Sequence, residues 1–517
     1  MIESKTGKKV PAVENNGRIT PMHSRFDPEK EGSRFPQVYT SRGFLLFFGF
    51  GGAYHITPFL KDETVEKIVI IEKNLDFFTY VLTQMDLTDL LFDKRVVLLV
   101  EEEQESIRNS LLTHYLPILT GDIQSILLRP SVQMDENYYN EIAELIRETL
   151  EQVSDDLTVQ TRFGKKWFRN TVANLEKAEK AIFKIGSIGK AMITAAGPSL
   201  DENIEKIRSM RKEIFLIATD TSLPALLHRS IIPDIVISID CQDISYNHFM
   251  QGYPEHVPLL LDLASPTRLN RFTDNRLYFS SGHPFSRYVN RHFRNFPQID
   301  TSGGNVTYAA LSLAVSLGAR EIYVSGADFS YPRGKSYAME TYLYPWFRNL
   351  ESRFQSLESF FFSFIMHNNS MIRDDSDGFI RYISKPMIGY RKLFEAAATA
   401  IDPKVIPLEG SGCELKISNR KLNPFPSIRP VLSAGSPMMS SKKFLGEYLK
   451  NLKMLPLPDG PLWRYREKLT DSELELITTV LPAAAEFSRK FSDRKESLKK
   501  AIQWTISLLE REITQTG

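Results

Sequence analysis

The chain has 517 residues, 42% of them apolar and 25% charged, with a formal net charge of +1. This is an ordinary globular composition, long enough for about three or four domains, and the balanced charge excludes a nucleic-acid footprint or an acidic tail. Cys241 and Cys413 are the only cysteines, which excludes a disulfide framework or a thiolate metal site and predicts a reducing compartment.

Residues 1–40 are polar with scattered Pro and Gly, and read as a loosely ordered arm with an edge strand. The start, MIESKTGKKVPAVENNG, carries no apolar h-region, so no secretory signal is expected. The most apolar run, Phe44–Phe50, is too short to span a bilayer. The expectation is a cytoplasmic protein with neither a membrane nor a nucleic-acid partner.

Residues 41–130 read as a first α/β domain. GFLLFFGFGGAYHITPFL is a strand, a Gly49/Gly51/Gly52 turn and a helix; KIVIIEKN is a second strand ending in Glu72, and RVVLLVEE a third. A glycine turn after one strand and an acid about 20 residues on is the layout of dinucleotide and S-adenosylmethionine folds. Residues 131–186 read as a helical connector, with Ile142, Ile146 and Leu150 on one stripe and continuing with Trp167, Phe168, Val172 and Leu175.

Residues 187–412 form the main domain. Ala191–Thr194 is a strand, broken by Gly197-Pro198; Ser199 is placed to cap a helix, with Glu202 completing a capping box. Phe215–Ala218 is the next strand, ending in Thr219-Asp220-Thr221-Ser222. A turn that opens a helix at a strand's carboxyl end offers free N–H groups and the positive end of a helix dipole to an anion. Ile235–Ile239 ends in Asp240; LLLDL (259–263) and RLYFSS (276–281) follow as strands. Thr301–Asn305 is a small-residue turn before the apolar, buried helix Val306–Leu317, stopped by Gly318. EIYVSGADFS is a strand ending in Gly326 and Asp328. In an open parallel sheet the carboxyl ends share one edge, so Gly197, Asp220, Asp240 and Asp328 should line one crevice.

Residues 332–385 read as a long aromatic insertion, a lid or acceptor platform at the crevice rim. IGYRKLFEAAATAI is a helix and KVIPLEG a last strand. Residues 413–517 are polar at first and then mostly helical, and ESLKKAIQWTISLLEREI is suited to a helical cap or a homo-oligomer interface. Asp240 with Asp243, and Asp374, Asp375 and Asp377, are acidic groups able to hold Mg²⁺ through oxygen ligands; a solvated turn is the competing reading of DDSDG.

GPSLDENIEKI, the Asp220 strand, PDIVISIDCQ and TSGGNVTYAALSLAVSLGAREIYVSGADFSYPRGKSYA together resemble the central domain of the motility accessory factors (Maf), bacterial proteins held to be flagellin glycosyltransferases. The same signatures occur in the MptE-like proteins, archaeal 6-hydroxymethylpterin diphosphokinases. Those are short, so chain length favours Maf. TSGGN before an apolar helix, then LGAREIYVSGADF and KSYA, is also similar to one family of bacterial sialyltransferases that use CMP-sialic acid.

These resemblances imply an α/β fold: a Rossmann-like, GT-A-variant central domain, an N-terminal Rossmann-like domain and a C-terminal helical region. They imply CMP contacts at Gly197, Pro198, Ser199, at Asp220 (where the sialyltransferases have Asn), and at Thr301, Ser302 and Gly303. Ser222, Asp240 and Gly304 join the expected nucleotide-binding set. Tyr337, in KSYA, matches a tyrosine that contacts the departing phosphate. The family's base, a His before Ser-Lys, is replaced here by Ile383 in RYISKP, which leaves Asp328 and His367 as candidate bases.

The function implied is transfer of a nonulosonic acid, of pseudaminic or legionaminic type, from a CMP donor to Ser/Thr of flagellin, with no required cofactor. The alternatives are an MptE-like, Mg²⁺-dependent pyrophosphoryl transfer from ATP, and a non-catalytic flagellin-binding accessory protein with a vestigial site.

Overall fold

A computed structural model describes residues 1–15, 17–182, 184–367, 370–375, 378–419 and 432–515. The chain forms two compact units: residues 1–164 with 451–507, and 165–450 with 508–517. The C-terminal helices therefore do not gather into a unit of their own but divide between the two.

In the first unit, strands β1 (Phe44–Phe48), β2 (Lys67–Glu72), β3 (Val96–Val100) and β4 (Ile123–Leu127) form a parallel sheet in the order β3-β2-β1-β4. The unbroken apolar run of β1 follows from cover on both faces. Leu45 and Phe47 join Phe50, Phe59 and Phe78 on one side. Phe44, Leu46 and Phe48 join Tyr139, Ile142 and Ile146 on the other. Those last residues belong to helix α1 (Glu136–Lys180), so the expected stripe is the one that packs. The arm is more ordered than its composition suggests: Ile2–Glu3 pairs with Lys9–Val10, and Ala12–Asn15 with Arg18–Pro21. Buried Glu66 draws two C-terminal arginines to this sheet, Arg494 at 3.7 Å and Arg466 at 4.0 Å.

The second unit is a seven-stranded, all-parallel sheet. Its strands are β5 (Lys190–Thr194), β6 (Phe215–Thr219), β7 (Ile235–Ser238), β8 (Leu259–Asp262), β9 (Arg276–Phe279), β10 (Glu321–Ser325) and, after the insertion, a last strand at Lys404–Pro407. The order is β9-β8-β7-β6-β5-β10 and then the last strand. Helix α2 (Val306–Ser316) is buried against β5, β6 and β7, and supplies Ala309, Ala310, Leu313 and Ala314 to the core.

The insertion is structured. Helices α3 (Leu343–Leu350) and α4 (Leu357–Met366) precede a small antiparallel sheet in which Arg381–Ser384 pairs on one side with Tyr331–Pro332 and on the other with Met371–Asp374. Much of its aromatic content is used internally: Leu343, Tyr344, Phe347 and Phe361 make a core of their own.

Two asparagines on α1 shape the carboxyl edge of the large sheet. Asn170 Nδ2 donates to Cys241 O (3.0 Å) and Ala264 O (2.8 Å). The buried Asn174 Nδ2 donates to Leu263 O (2.9 Å) and Ser265 O (2.8 Å). Each side chain satisfies carbonyls that the sheet leaves unpaired where its strands end. Asn174→Ala should therefore strand two buried carbonyls and lower the stability of the second unit by about 2 kcal/mol, read as a fall in its urea midpoint; an unchanged midpoint would show that water replaces the amide at no cost.

Candidate active site

β5 has β6 on one side and β10 on the other, so the chain order reverses at its carboxyl end, where open α/β sheets bind ligands. The capping pattern read at this turn does not form. The short helix Ser199–Glu202 has Pro198 at its N-cap position and no side-chain cap. The Ser199 hydroxyl donates instead to Asp328 Oδ1, and the Ser199 N–H to Asp328 Oδ2 at 2.9 Å. Glu202 accepts from Ser411 N–H (3.0 Å) and Ser411 Oγ–H (2.6 Å). The Gly197 N–H donates to Gly326 O at 2.8 Å.

The anion at this turn is thus the chain's own Asp328. Gly197 permits the approach, since a Cβ there would lie 2.6 Å from Asp328 Cγ and 2.5 Å from Gly326 O. Burial pushes the Asp328 carboxyl up to about 6, against the lowering effect of the two Ser199 bonds.

The next strand ends with polar groups lie one and two strands over. Asp220 is buried at the end of β6; its Oδ2 accepts from Ser238 Oγ (2.6 Å), and its Oδ1 from Thr221 N–H (2.7 Å) and Thr221 Oγ (3.1 Å). Ser222 is fully buried, and its hydroxyl ties β5 to β6 through Thr194 O (2.8 Å) and Thr219 O (2.9 Å). Asp240 is half-buried after β7 and accepts from Gln242 N–H at 2.9 Å. Burial raises its pKa, and the charge of Asp220 adds to the rise.

The KSYA segment reaches this edge by a backbone bond from Ala338 N–H to Ala196 O (2.8 Å). Tyr337 is therefore held beside the Gly197 turn. Its phenol pKa is raised by burial first, then by Tyr342, Tyr331 and Asp220. Tyr342, 6.1 Å from Tyr337 between ring centroids, is pushed up to about 12, chiefly by burial. Both phenols stay protonated at neutral pH and can donate hydrogen bonds to an anionic group.

The Thr301–Gly304 turn leads into α2. In a crossover the helix starts at the carboxyl edge of the strands, so this turn belongs to the same edge. Asp300 Oδ1 accepts from Ser302 N–H (2.9 Å), Gly304 N–H donates to Thr301 O (3.0 Å), and Asn305 caps α2 by accepting from Tyr308 N–H (3.0 Å). Ser302 and Gly304 are exposed, Thr301 is half-buried and Gly303 is buried.

His367 is exposed at the end of α4. Of the acidic group in DDSDG, Asp374 closes a strand, Asp375 pairs with Arg373 at 3.5 Å, and Asp377 lies outside the described residues. Asp243 is exposed at the start of the 3₁₀ segment that follows Asp240.

The glycine turn of the first unit is filled by protein. Gly52 N–H donates to His23 Nε2 (2.9 Å), and a Cβ on Gly51 would lie 2.5 Å from Leu128 Cδ2. Glu72, the acid at the end of the second strand, accepts from Phe50 N–H (2.9 Å) and Asn74 N–H (3.0 Å).

Sequence reasoning missed three residues of the crevice: Tyr331, Tyr342 and His248. His248 lies on the 3₁₀ segment Asp243–Phe249, with Nε2 3.5 Å from Thr221 Oγ and its ring edge-on to Tyr342 at 4.6 Å. Its one legible signal is its place in SYNHFM, just after a strand that ends in Asp240.

Two family models match the chain: 6-hydroxymethylpterin diphosphokinase MptE-like over residues 165–334, and Glycosyltransferase Maf N-terminal domain over residues 12–127. A protein of Treponema pallidum (strain Nichols), described as uncharacterized, is 36% identical over 167 residues, which is 32% of this chain and 80% of that protein. A second from the same organism is 35% identical over 160 residues, 30% of this chain and 56% of that protein. The solved structure of a Maf glycosyltransferase from Magnetospirillum magneticum AMB-1 superposes with a TM-score of 0.57 at 15% identity, covering 99% of this chain and 91% of that one. That likeness carries the fold: parallel Rossmann-like sheets and a helical C-terminal region. Among the described residues no helix is long and apolar enough to cross a membrane.

Between the ordinary carboxyl value of 3.8 and about 6, folded Asp328 keeps a proton that the unfolded chain has lost. Its contribution to stability is therefore full at the acid end and is lost as pH rises through about 6. Asp328→Asn, which can still pair with Ser199, should remove this component. The difference in urea midpoint between variant and wild type should grow in the variant's favour from pH 4 to pH 6.5; parallel curves would count against a raised Asp328.

Proposed function

We propose that this Maf-like chain is a glycosyltransferase that moves a nonulosonic acid from a CMP donor to serine or threonine hydroxyls of flagellin. The observation that carries this reading is the crevice beside the Gly197 turn, where Tyr337, held by the Ala338–Ala196 bond, stands with Tyr342, Asp220 and Asp240. Transfer from a CMP-sugar needs donors on the leaving phosphate, and protonated phenols supply them without a metal. Carboxylates at Asp220 and Asp240 suit the neutral hydroxyls and amino groups of a nucleoside or sugar. Thr301 and Ser302 offer hydroxyl groups on the same edge, while the Ser302 and Gly304 N–H groups are used within the turn. Ser199 and Asp328 act in this reading as the tie that holds the floor of the crevice, with Gly197 and Pro198 making the approach.

A second reading has one observation in its favour, the MptE-like match over residues 165–334. It predicts pyrophosphoryl transfer from ATP to 6-hydroxymethylpterin, with AMP as a product, and here Mg²⁺ is required to bridge the phosphates.

Purified protein incubated with CMP-pseudaminic or CMP-legionaminic acid and unglycosylated flagellin should raise the flagellin mass by one sugar per site and release CMP. No mass increase and no CMP, with AMP formed from ATP and the pterin alcohol, would replace the first reading with the second. Within the first, Tyr337→Phe should lower kcat by about 100-fold and leave the donor KM within a fewfold of wild type, because the lost bond strengthens as the phosphate departs.

A further inference from the structure

Resting on the transfer reading above, we propose that His248 is the base that takes the proton of the acceptor hydroxyl. The reaction needs such a group at the crevice, and neither residue singled out from the sequence is well suited. Both carboxylate oxygens of Asp328 are engaged by Ser199, and His367 is exposed at the end of an insertion helix. The other histidine at this edge, His283, is stacked under Trp167 at 3.9 Å, and burial holds it down at about 4, a weak proton acceptor.

His248 meets the geometric requirement. Its half-buried ring stands on the segment that follows β7, so it overlooks the end of β6. Nε2 lies 3.5 Å from Thr221 Oγ, whose hydrogen is directed to Asp220 Oδ1 at 3.1 Å. In the Nδ1–H tautomer Thr221 leaves the Nε2 lone pair unoccupied, because its own hydrogen is given to Asp220. Nδ1 is buried and has no hydrogen-bond partner among the described residues. The ring is oriented by packing instead, edge-on to Tyr342 at 4.6 Å and 88°. Tyr342 in turn lies 6.1 Å from Tyr337, the donor assigned to the leaving phosphate.

The step balances. The acceptor oxygen bonds to the anomeric carbon and its proton passes to His248 Nε2. The bond from the anomeric carbon to the phosphate oxygen breaks, and its electron pair leaves with CMP. The imidazolium then returns its proton to solvent.

The test uses the full chain, unglycosylated flagellin and the two CMP donors named above, with flagellin mass and CMP affinity measured separately. His248→Ala should lower transfer by about 100-fold or more, leave the Kd for CMP within threefold, and recover part of its rate when imidazole is added. His248→Gln, which keeps the ring's volume and a hydrogen-bonding end, should be as slow and should not respond to imidazole. Transfer within threefold of wild type in either variant, or a loss of CMP binding equal to the loss of rate, would overturn the assignment. A wild type inert toward both donors would strike the transfer reading and the base with it. An active wild type with an unimpaired His248→Ala would strike the base alone.

Discussion

The second unit is organised around one buried carboxylate. Asp328 leaves the end of β10 and binds the N–H and hydroxyl of Ser199 at the end of β5. Its own carbonyl accepts from Cys413 N–H (2.9 Å) and Ser330 Oγ (2.9 Å). Three backbone segments thus converge on one residue at the point where the order of the sheet reverses. A buried carboxylate is tolerated only when it is hydrogen-bonded, and here both oxygens are used. The consequence is geometric. The place where an open α/β sheet most readily takes an anion is already occupied by Asp328.

What furnishes the crevice comes from distant parts of the chain. Asn170 and Asn174, on a helix that precedes the sheet, fix the loops after β7 and β8. The insertion after Tyr331 delivers Tyr337 and Tyr342 from the opposite direction, and Ala338 anchors it to Ala196. The insertion can carry these rings because its two helices build a separate aromatic core, which stiffens it away from the sheet. Burial then sets the protonation: the phenols remain donors, and Asp240 titrates above the ordinary carboxylate range beside Asp220.

The two glycine turns of the chain meet the same fate by different means. In the first unit the turn is filled by His23 and Leu128, and Glu72 accepts from the backbone of Phe50 and Asn74. In the second it is filled by Asp328. Both carry the spacing of a ligand-binding βαβ unit, and in both the N–H groups are satisfied from within.

Much was legible from residue order. Period, glycine turns and apolar runs determine the parallel α/β class, the buried strand Phe44–Phe48, the stripe of Ile142 and Ile146 and the buried helix Val306–Ser316, because burial on both faces of a parallel sheet leaves a local mark. The strand ends at Asp220, Asp240 and Asp328 were placed on one edge by topology alone. Other features were not legible. A serine three residues before a glutamate reads as a capping box, and only the fold brings Asp328, 129 positions away, close enough to take the hydroxyl. His248 and Tyr342 are 94 positions apart and meet only because the insertion folds over the end of β7. Sequence by itself determined most strands of the two parallel sheets and the helix Val306–Ser316, since those depend on neighbours along the chain, but not the paired strands of the arm or the helices of the insertion. Which polar groups remain free to act was decided by tertiary structure, because a hydrogen-bond partner can come from any distance in sequence.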